Sequence, residues 1–175
     1  GDTYHYGIGQ GFLLATPLQV NTWAEIIANG GTLYQPRFLK NGTSNPLGKD
    51  FLSDETVEQI RGGMMKSCAE GGVAYPLYNY TVKNPSLKID GKNYLEAKAA
   101  SGSAEKSEYR TIPVACKTGT GQHGGEETLP HAWITLFAPA YNPEVVVTVL
   151  VDSGGEGSSV AAPIAKQVLD AYFQK

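Results

Sequence analysis

The chain has 175 residues, 41% of them apolar and 10% aromatic, enough for one domain's core or for part of a larger domain. Charged residues make up only 18%, and a net charge of −3 with scattered Lys and Arg excludes a basic footprint for nucleic acid or anionic membrane. No apolar run reaches transmembrane length, and neither cysteine, Cys68 nor Cys116, lies in a C-x-x-C metal or redox spacing.

The chain opens at Gly1-Asp2-Thr3 with no initiator Met or signal peptide, which reads as an excised segment. The glycines of Gly7-Ile8-Gly9-Gln10-Gly11-Phe12 do not make a dinucleotide fingerprint, because Phe12 and Leu14 stand where the third glycine is needed. Thr16, Pro17 and Gln19 predict a capped helix start, and Val20, Trp23, Ala24 and Ile27 recur as one buried stripe. Asn29-Gly30-Gly31 ends that helix. Leu33-Tyr34 and Phe38-Leu39 read as a short strand interrupted by Pro36. Ser53 caps a second helix with Asp54 and Glu55 in its first turn; Val57, Ile60 and Met64 mark its buried face, and Gly71-Gly72 stops it. Residues 73–110, with Tyr75, Tyr78, Tyr80 and Tyr94, show no period and read as a long loop or surface excursion.

Ile112-Pro113-Val114-Ala115 predicts a strand leading into Cys116-Lys117-Thr118-Gly119-Thr120. Alternation puts Lys117 and Gly119 on one face and Thr118 and Thr120 on the other. A twist or bulge at Gly119 would bring the ammonium and both hydroxyls onto one anion, a carboxylate clamp. A glycine-rich segment to Pro130 follows, then a strand over Ala132–Ala138 and another over Glu144–Val151. The second is almost continuously apolar, which predicts a central strand covered on both faces. A last helix carries Val160, Ile164, Val168 and Tyr172 on one stripe, with Pro163 near its first turn. These elements predict an α+β fold, an antiparallel sheet with helices packed on its faces.

The two cysteines read as buried or semi-buried free thiols, Cys116 being a small strand residue rather than a nucleophile. His123 and His131, with Glu126 and Glu127 between them, flank a glycine-rich loop, and no helix brings them to one face, so no metal site is assigned. The one S-x-x-K, Ser103-Ala104-Glu105-Lys106, lies in a polar Gly/Ser stretch that lacks a helix start and an apolar stripe, so Ser103 is not taken as a nucleophile.

K-T-G belongs to the motif set of β-lactamases and penicillin-binding proteins. By itself it is weak, but it stands here in an ordered series. Ile8-Gly9-Gln10-Gly11, Ala15-Thr16-Pro17-Leu18-Gln19 and Ala28-Asn29-Gly30-Gly31 precede it. His131-Ala132-Trp133, Phe137-Ala138-Pro139 and Ala161-Ala162-Pro163-Ile164-Ala165 follow. The series resembles the C-terminal half of the transpeptidase domain of class B penicillin-binding proteins, their elongation-type, penicillin-binding protein 2-like branch in particular.

The resemblance implies a β-lactamase/transpeptidase-like fold of which residues 1–175 are the C-terminal portion, the nucleophile-bearing part being absent. It implies a serine D,D-transpeptidase of peptidoglycan synthesis that cross-links stem peptides ending in D-Ala-D-Ala and is acylated by β-lactams. Lys117 and Thr120 would be catalytic, Lys117 through its charge and Thr120 through a backbone N–H of the oxyanion hole. Thr118, Gly119 and Thr120 would bind substrate. The family's S-x-x-K and S-x-N motifs have no match here, so the isolated chain is expected to be inactive and to need the N-terminal half of its domain as a partner. No metal or organic cofactor is implied. The parent would act at the extracytoplasmic face of the bacterial inner membrane, held by an upstream anchor. A non-catalytic recognition module of the same fold, or a β-lactamase or β-lactam sensor, is the alternative; the Thr16–Gln19 helix start and the Gly30-Gly31 stop favour the penicillin-binding branch.

Overall fold

A computed structural model describes residues 1–83, 110–125 and 127–174. Tyr94 and the Ser103–Lys106 motif lie outside the described residues. A six-residue helix that the pattern did not announce, α1 (Asp2–Gly7), precedes the glycine turns. Helix α2 (Pro17–Ala28) starts where predicted: Thr16 Oγ1 accepts from the Gln19 N–H at 3.3 Å, and the Thr16 N–H donates to Gln19 Oε1 at 2.8 Å. Gly31 closes its end at φ +103°, and a Cβ there would meet the Leu52 carbonyl oxygen at 2.6 Å, so this stop requires glycine.

Strands β1 (Leu33–Tyr34) and β2 (Pro46–Gly48) form a small antiparallel pair. The expected continuation at Phe38-Leu39 does not form; both side chains are exposed and stand beyond Pro36. Helix α3 (Asp54–Ser67) is capped by Ser53, whose Oγ accepts from the Thr56 N–H. A 3-10 turn (Tyr75–Leu77) and strand β3 (Thr81–Val82) follow, paired with β4 (Arg110–Thr111). The expected excursion therefore begins and ends in ordered structure. Tyr80 is buried there, not spread on the surface, and donates its hydroxyl to Asp170 at 2.9 Å. Burial and the Asp170 carboxylate together push the Tyr80 phenol well above its ordinary range.

The main sheet has the order β5 (Ala115–Gly121), β6 (His131–Ala138), β7 (Val145–Val151), all antiparallel. A π-helical turn (Gly157–Ala161) then runs into helix α4 (Ala162–Phe173). Alternation sorts the sheet residues into two layers. Cys116, Ile134, Leu136 and Val147 pack with Ala161, Ala165, Leu169 and Phe173 on the α4 side. Ala115, Phe137 and Val146 pack with Ile27, Ala28 and Val57 on the α2–α3 side. The α+β expectation holds. The Val-rich strand, however, is β7 at the edge of the described sheet, and β6 is central. Helices α2 and α4 cover both faces of β7; continuous apolarity reports that coverage, not two strand neighbours.

Three expected helix faces are corrected in part, Ala24, Ile27 and Val57 being buried as expected. On α2, Trp23 is 47% exposed, and the buried face runs through Thr22, Ala24, Ile26 and Ile27. On α3, Ile60 is exposed and Met64 half-buried, while Arg61 is buried because its guanidinium donates to the Ile27 carbonyl at 3.1 Å and pairs with Glu58. That carbonyl belongs to the last turn of α2, where a cation is favoured. On α4, Ile164, Val168 and Tyr172 are exposed, and Val160 is half-buried. The parallel stripe of Ala161, Ala165, Leu169 and Phe173 is buried instead, since alanines let the helix approach the sheet closely. No helix among the described residues is long and apolar enough to cross a membrane.

The π-helical turn meets the sheet at Gly157, which is buried. A Cβ there would overlap the Trp133 carbonyl oxygen and lie 2.5 Å from the Gly119 carbonyl oxygen. Backbone, unlike a side-chain tip, cannot step aside. We expect Gly157→Ala to destabilise the fold by about 1–3 kcal/mol, as overpacking does. Urea unfolding checks this, and an unchanged midpoint would show that the turn lifts off the sheet at no cost.

Candidate active site at the free edge of strand β5

Strand β5 pairs with β6 without interruption, from Ala115 opposite Phe137 to Gly121 opposite His131. No bulge forms at Gly119, so the expected convergence by that route does not occur. The motif is organised by its backbone instead. In an antiparallel strand a residue's N–H and C=O point to the same side, and the sides alternate. Gln10 Nε2 donates to the Thr120 carbonyl at 3.0 Å from outside the β5–β6 pair. The backbone groups of Thr118 and Thr120 therefore face the free edge, and those of Lys117 and Gly119 face β6.

The Lys117 side chain is exposed and curls to the same edge, where its ammonium donates to the Thr118 carbonyl. One cation and the Thr118 and Thr120 N–H groups thus lie along a single margin that has no strand partner among the described residues. Gly119 stands opposite Trp133: a Cβ at Gly119 would be 3.2 Å from Trp133 Cβ, and one at Gly121 would be 3.5 Å from the indole Nε1. The two missing side chains leave the indole flat beside the strand. Behind Lys117 the cross-strand row continues as Thr135 and Thr148, their hydroxyls 2.8 Å apart, with Asn21 Nδ2 donating to Thr148 at 3.2 Å.

The root of the motif is held covalently. Cys68, at the end of α3, and Cys116 form a disulfide with Cα atoms 5.8 Å apart, and both are buried. The free-thiol expectation is corrected; 47 intervening residues hide a proximity that only the packing of α3 on β5 creates. Cys116, being oxidised, is no nucleophile, as the sequence had indicated on other grounds.

A second correction concerns the histidines. The β5–β6 hairpin folds His123 back so that its ring stacks on that of His131, with centroids 3.7 Å apart and planes 7° from parallel. Glu127 is exposed and takes no part, whereas Asp152 and Ser153, just past β7, join the pair. Gln10 is the other contributor that sequence reading passed over: it lay inside a quoted motif, but only the fold carries it to Thr120.

The chain matches the model of the penicillin-binding protein transpeptidase domain over residues 1–170. It is 33% identical to the peptidoglycan D,D-transpeptidase MrdA of Haemophilus influenzae, an alignment that covers all of this chain and 26% of that protein. Among solved structures, penicillin-binding protein A of Mycobacterium tuberculosis as a ceftriaxone acyl-enzyme superposes with a TM-score of 0.68 at 26% identity, over 97% of this chain and 35% of that one. Penicillin-binding protein 2 of Helicobacter pylori, in a complex with MreC, superposes with a TM-score of 0.66 at 32% identity, over 98% of this chain and 27% of that one. The chain spans about a quarter to a third of the length of the curated relatives it matches. With the family model matched over residues 1–170 and the whole chain aligned to MrdA, this chain belongs to the penicillin-binding protein transpeptidase domain family, in the company of its MrdA-like members.

Proposed function

We propose that residues 1–175 form the C-terminal part of a D,D-transpeptidase domain and supply the K-T-G wall of its cleft. The observation that carries this reading is the outward set of the Thr118 and Thr120 backbone groups beside the Lys117 ammonium. A stem peptide ending in D-Ala-D-Ala would lie along this edge as an added strand. Its terminal carboxylate would meet Lys117 and the Thr118 and Thr120 hydroxyls, and the penultimate carbonyl oxygen would meet the Thr120 N–H, half of an oxyanion hole. Gly119 leaves room for the substrate backbone. A serine hydroxyl would attack that carbonyl, the terminal D-Ala would leave with the proton, and an amine from a second stem peptide would then displace the serine. β-Lactams would acylate the same serine.

The chain's one S-x-x-K, Ser103-Ala104-Glu105-Lys106, stands in a polar Gly/Ser stretch without an apolar stripe, so we assign the serine to a segment outside residues 1–175. The remainder of the domain would also cover Ile8, Phe12 and Leu14, which are 75%, 81% and 92% exposed, and the outer edge of β7, which has no strand partner among the described residues. We place the site at the extracytoplasmic face of the inner membrane, where stem peptides are.

The test is intact-mass analysis after incubation with a penicillin, followed by peptide mapping. The full-length parent should carry one adduct on a serine outside these 175 residues, and the isolated chain none. An adduct on Ser103 in the isolated chain would overturn the assignment. A parent that takes no adduct would point to a recognition module instead.

A further inference from the structure

Beyond the K-T-G edge, we infer that His123, His131 and Asp152 form a binding site for a divalent transition-metal ion, Zn²⁺ by their chemistry. The three sit where the loop leaving β5 meets the start of β6 and the end of β7. Their ligand atoms lie within 4.8 Å of one another, although the residues come from three separate parts of the chain.

His131 Nδ1 stands at the centre of the cluster. It lies 3.1 Å from the Ser153 backbone nitrogen, whose N–H points to it. The same atom lies 2.9 Å from Asp152 Oδ1. An imidazole nitrogen and a carboxylate oxygen thus already face each other, as two ligands of one ion do. With bonds of about 2.0–2.1 Å to nitrogen and oxygen, tetrahedral ligands on one ion stand about 3.3 Å apart, so the pair would open by a few tenths of an ångström on binding. Ser153 is exposed, so its N–H can turn to water at little cost when the lone pair is taken.

His123 completes the set. Its Nε2 is 3.3 Å from Ser153 Oγ, which in turn donates to Asp152 Oδ1 at 3.1 Å. An imidazole binds a metal in its own ring plane, so closing the site turns the His123 ring out of its stack on His131. That is a rotation of one side chain on a loop. Two imidazoles and a carboxylate suit Zn²⁺; a hard ion such as Mg²⁺ would ask for more oxygen. Three protein ligands leave a position open to water. Bound there, the ion would tie the loop that follows Thr120 to the ends of β6 and β7 and fix that rim of the cleft.

The test is a titration of the full-length protein with Zn²⁺ by calorimetry, and with Co²⁺ by its visible absorption, comparing wild type with His123→Ala and Asp152→Asn. Each variant should lose one equivalent of metal or bind it at least ~10-fold more weakly, and the tetrahedral Co²⁺ bands should fall with it. Both substitutions are at exposed or half-exposed loop positions, and circular dichroism of each variant verifies that the fold is kept. Equal stoichiometry and affinity in all three proteins, or no Zn²⁺ uptake by wild type, would overturn the inference.

Discussion

Lys117→Met in the full-length parent should slow acylation by a penicillin about 10²–10³-fold, the range seen when one preorganised electrostatic contact to a developing oxyanion is lost. The residue is exposed, and among the described residues its ammonium donates to the Thr118 carbonyl, so the substitution removes charge from the strand edge without opening the core. Methionine keeps the length and apolar stem of the side chain, which isolates the charge as the variable. The measurement is the second-order rate constant for a fluorescent penicillin, with the urea midpoint as the control. A rate within threefold of wild type would remove Lys117 from the catalytic machinery. A fall in rate accompanied by an equal fall in stability would assign it to the fold.

The second large effect is expected at Cys68–Cys116. Closing a loop across 48 residues removes chain entropy from the unfolded state worth about 4 kcal/mol on the loop-closure model. Reduction, or Cys116→Ser, should therefore lower unfolding free energy by about that amount, with serine adding the cost of a buried hydroxyl. Urea unfolding with and without reductant measures it. Thiol titration of the denatured, unreduced protein should find no free thiol; two thiols would refute the link outright. The bond fixes the end of α3 to the residue immediately before Lys117, so acylation of the parent should slow on reduction as well. A disulfide in this position agrees with an oxidising compartment outside the cytoplasm.

The parts of the site differ in how legible they were. Lys117, Thr118, Gly119 and Thr120 were readable because a strand's alternation is set by its own backbone, and the structure keeps that alternation without a bulge. Which edge the Thr118 and Thr120 backbone groups face was not readable. It follows from β6 occupying one side of β5 and Gln10 reaching the other, contacts between residues 110 positions apart. The histidine pair was missed for the same reason. His123 and His131 are eight residues apart, and a search for helical spacing rejects them, yet a hairpin lays them face to face.

What the amino-acid order determined by itself was local. The capping box at Thr16, the Ser53 cap, the glycine stop at Gly31 and the pleat of the K-T-G strand are each decided within a turn or a few residues of backbone. The family resemblance came from the order in which such local signals recur. Tertiary structure alone decided which of two apolar stripes along the last helix faces the sheet, where the Val-rich strand lies, and that the two cysteines meet. Both stripes on α4 repeat every four residues and satisfy a helix equally well. The one with Ala161 and Ala165 is buried because small side chains let the helix come close to the sheet, and no pattern within the helix contains that distance.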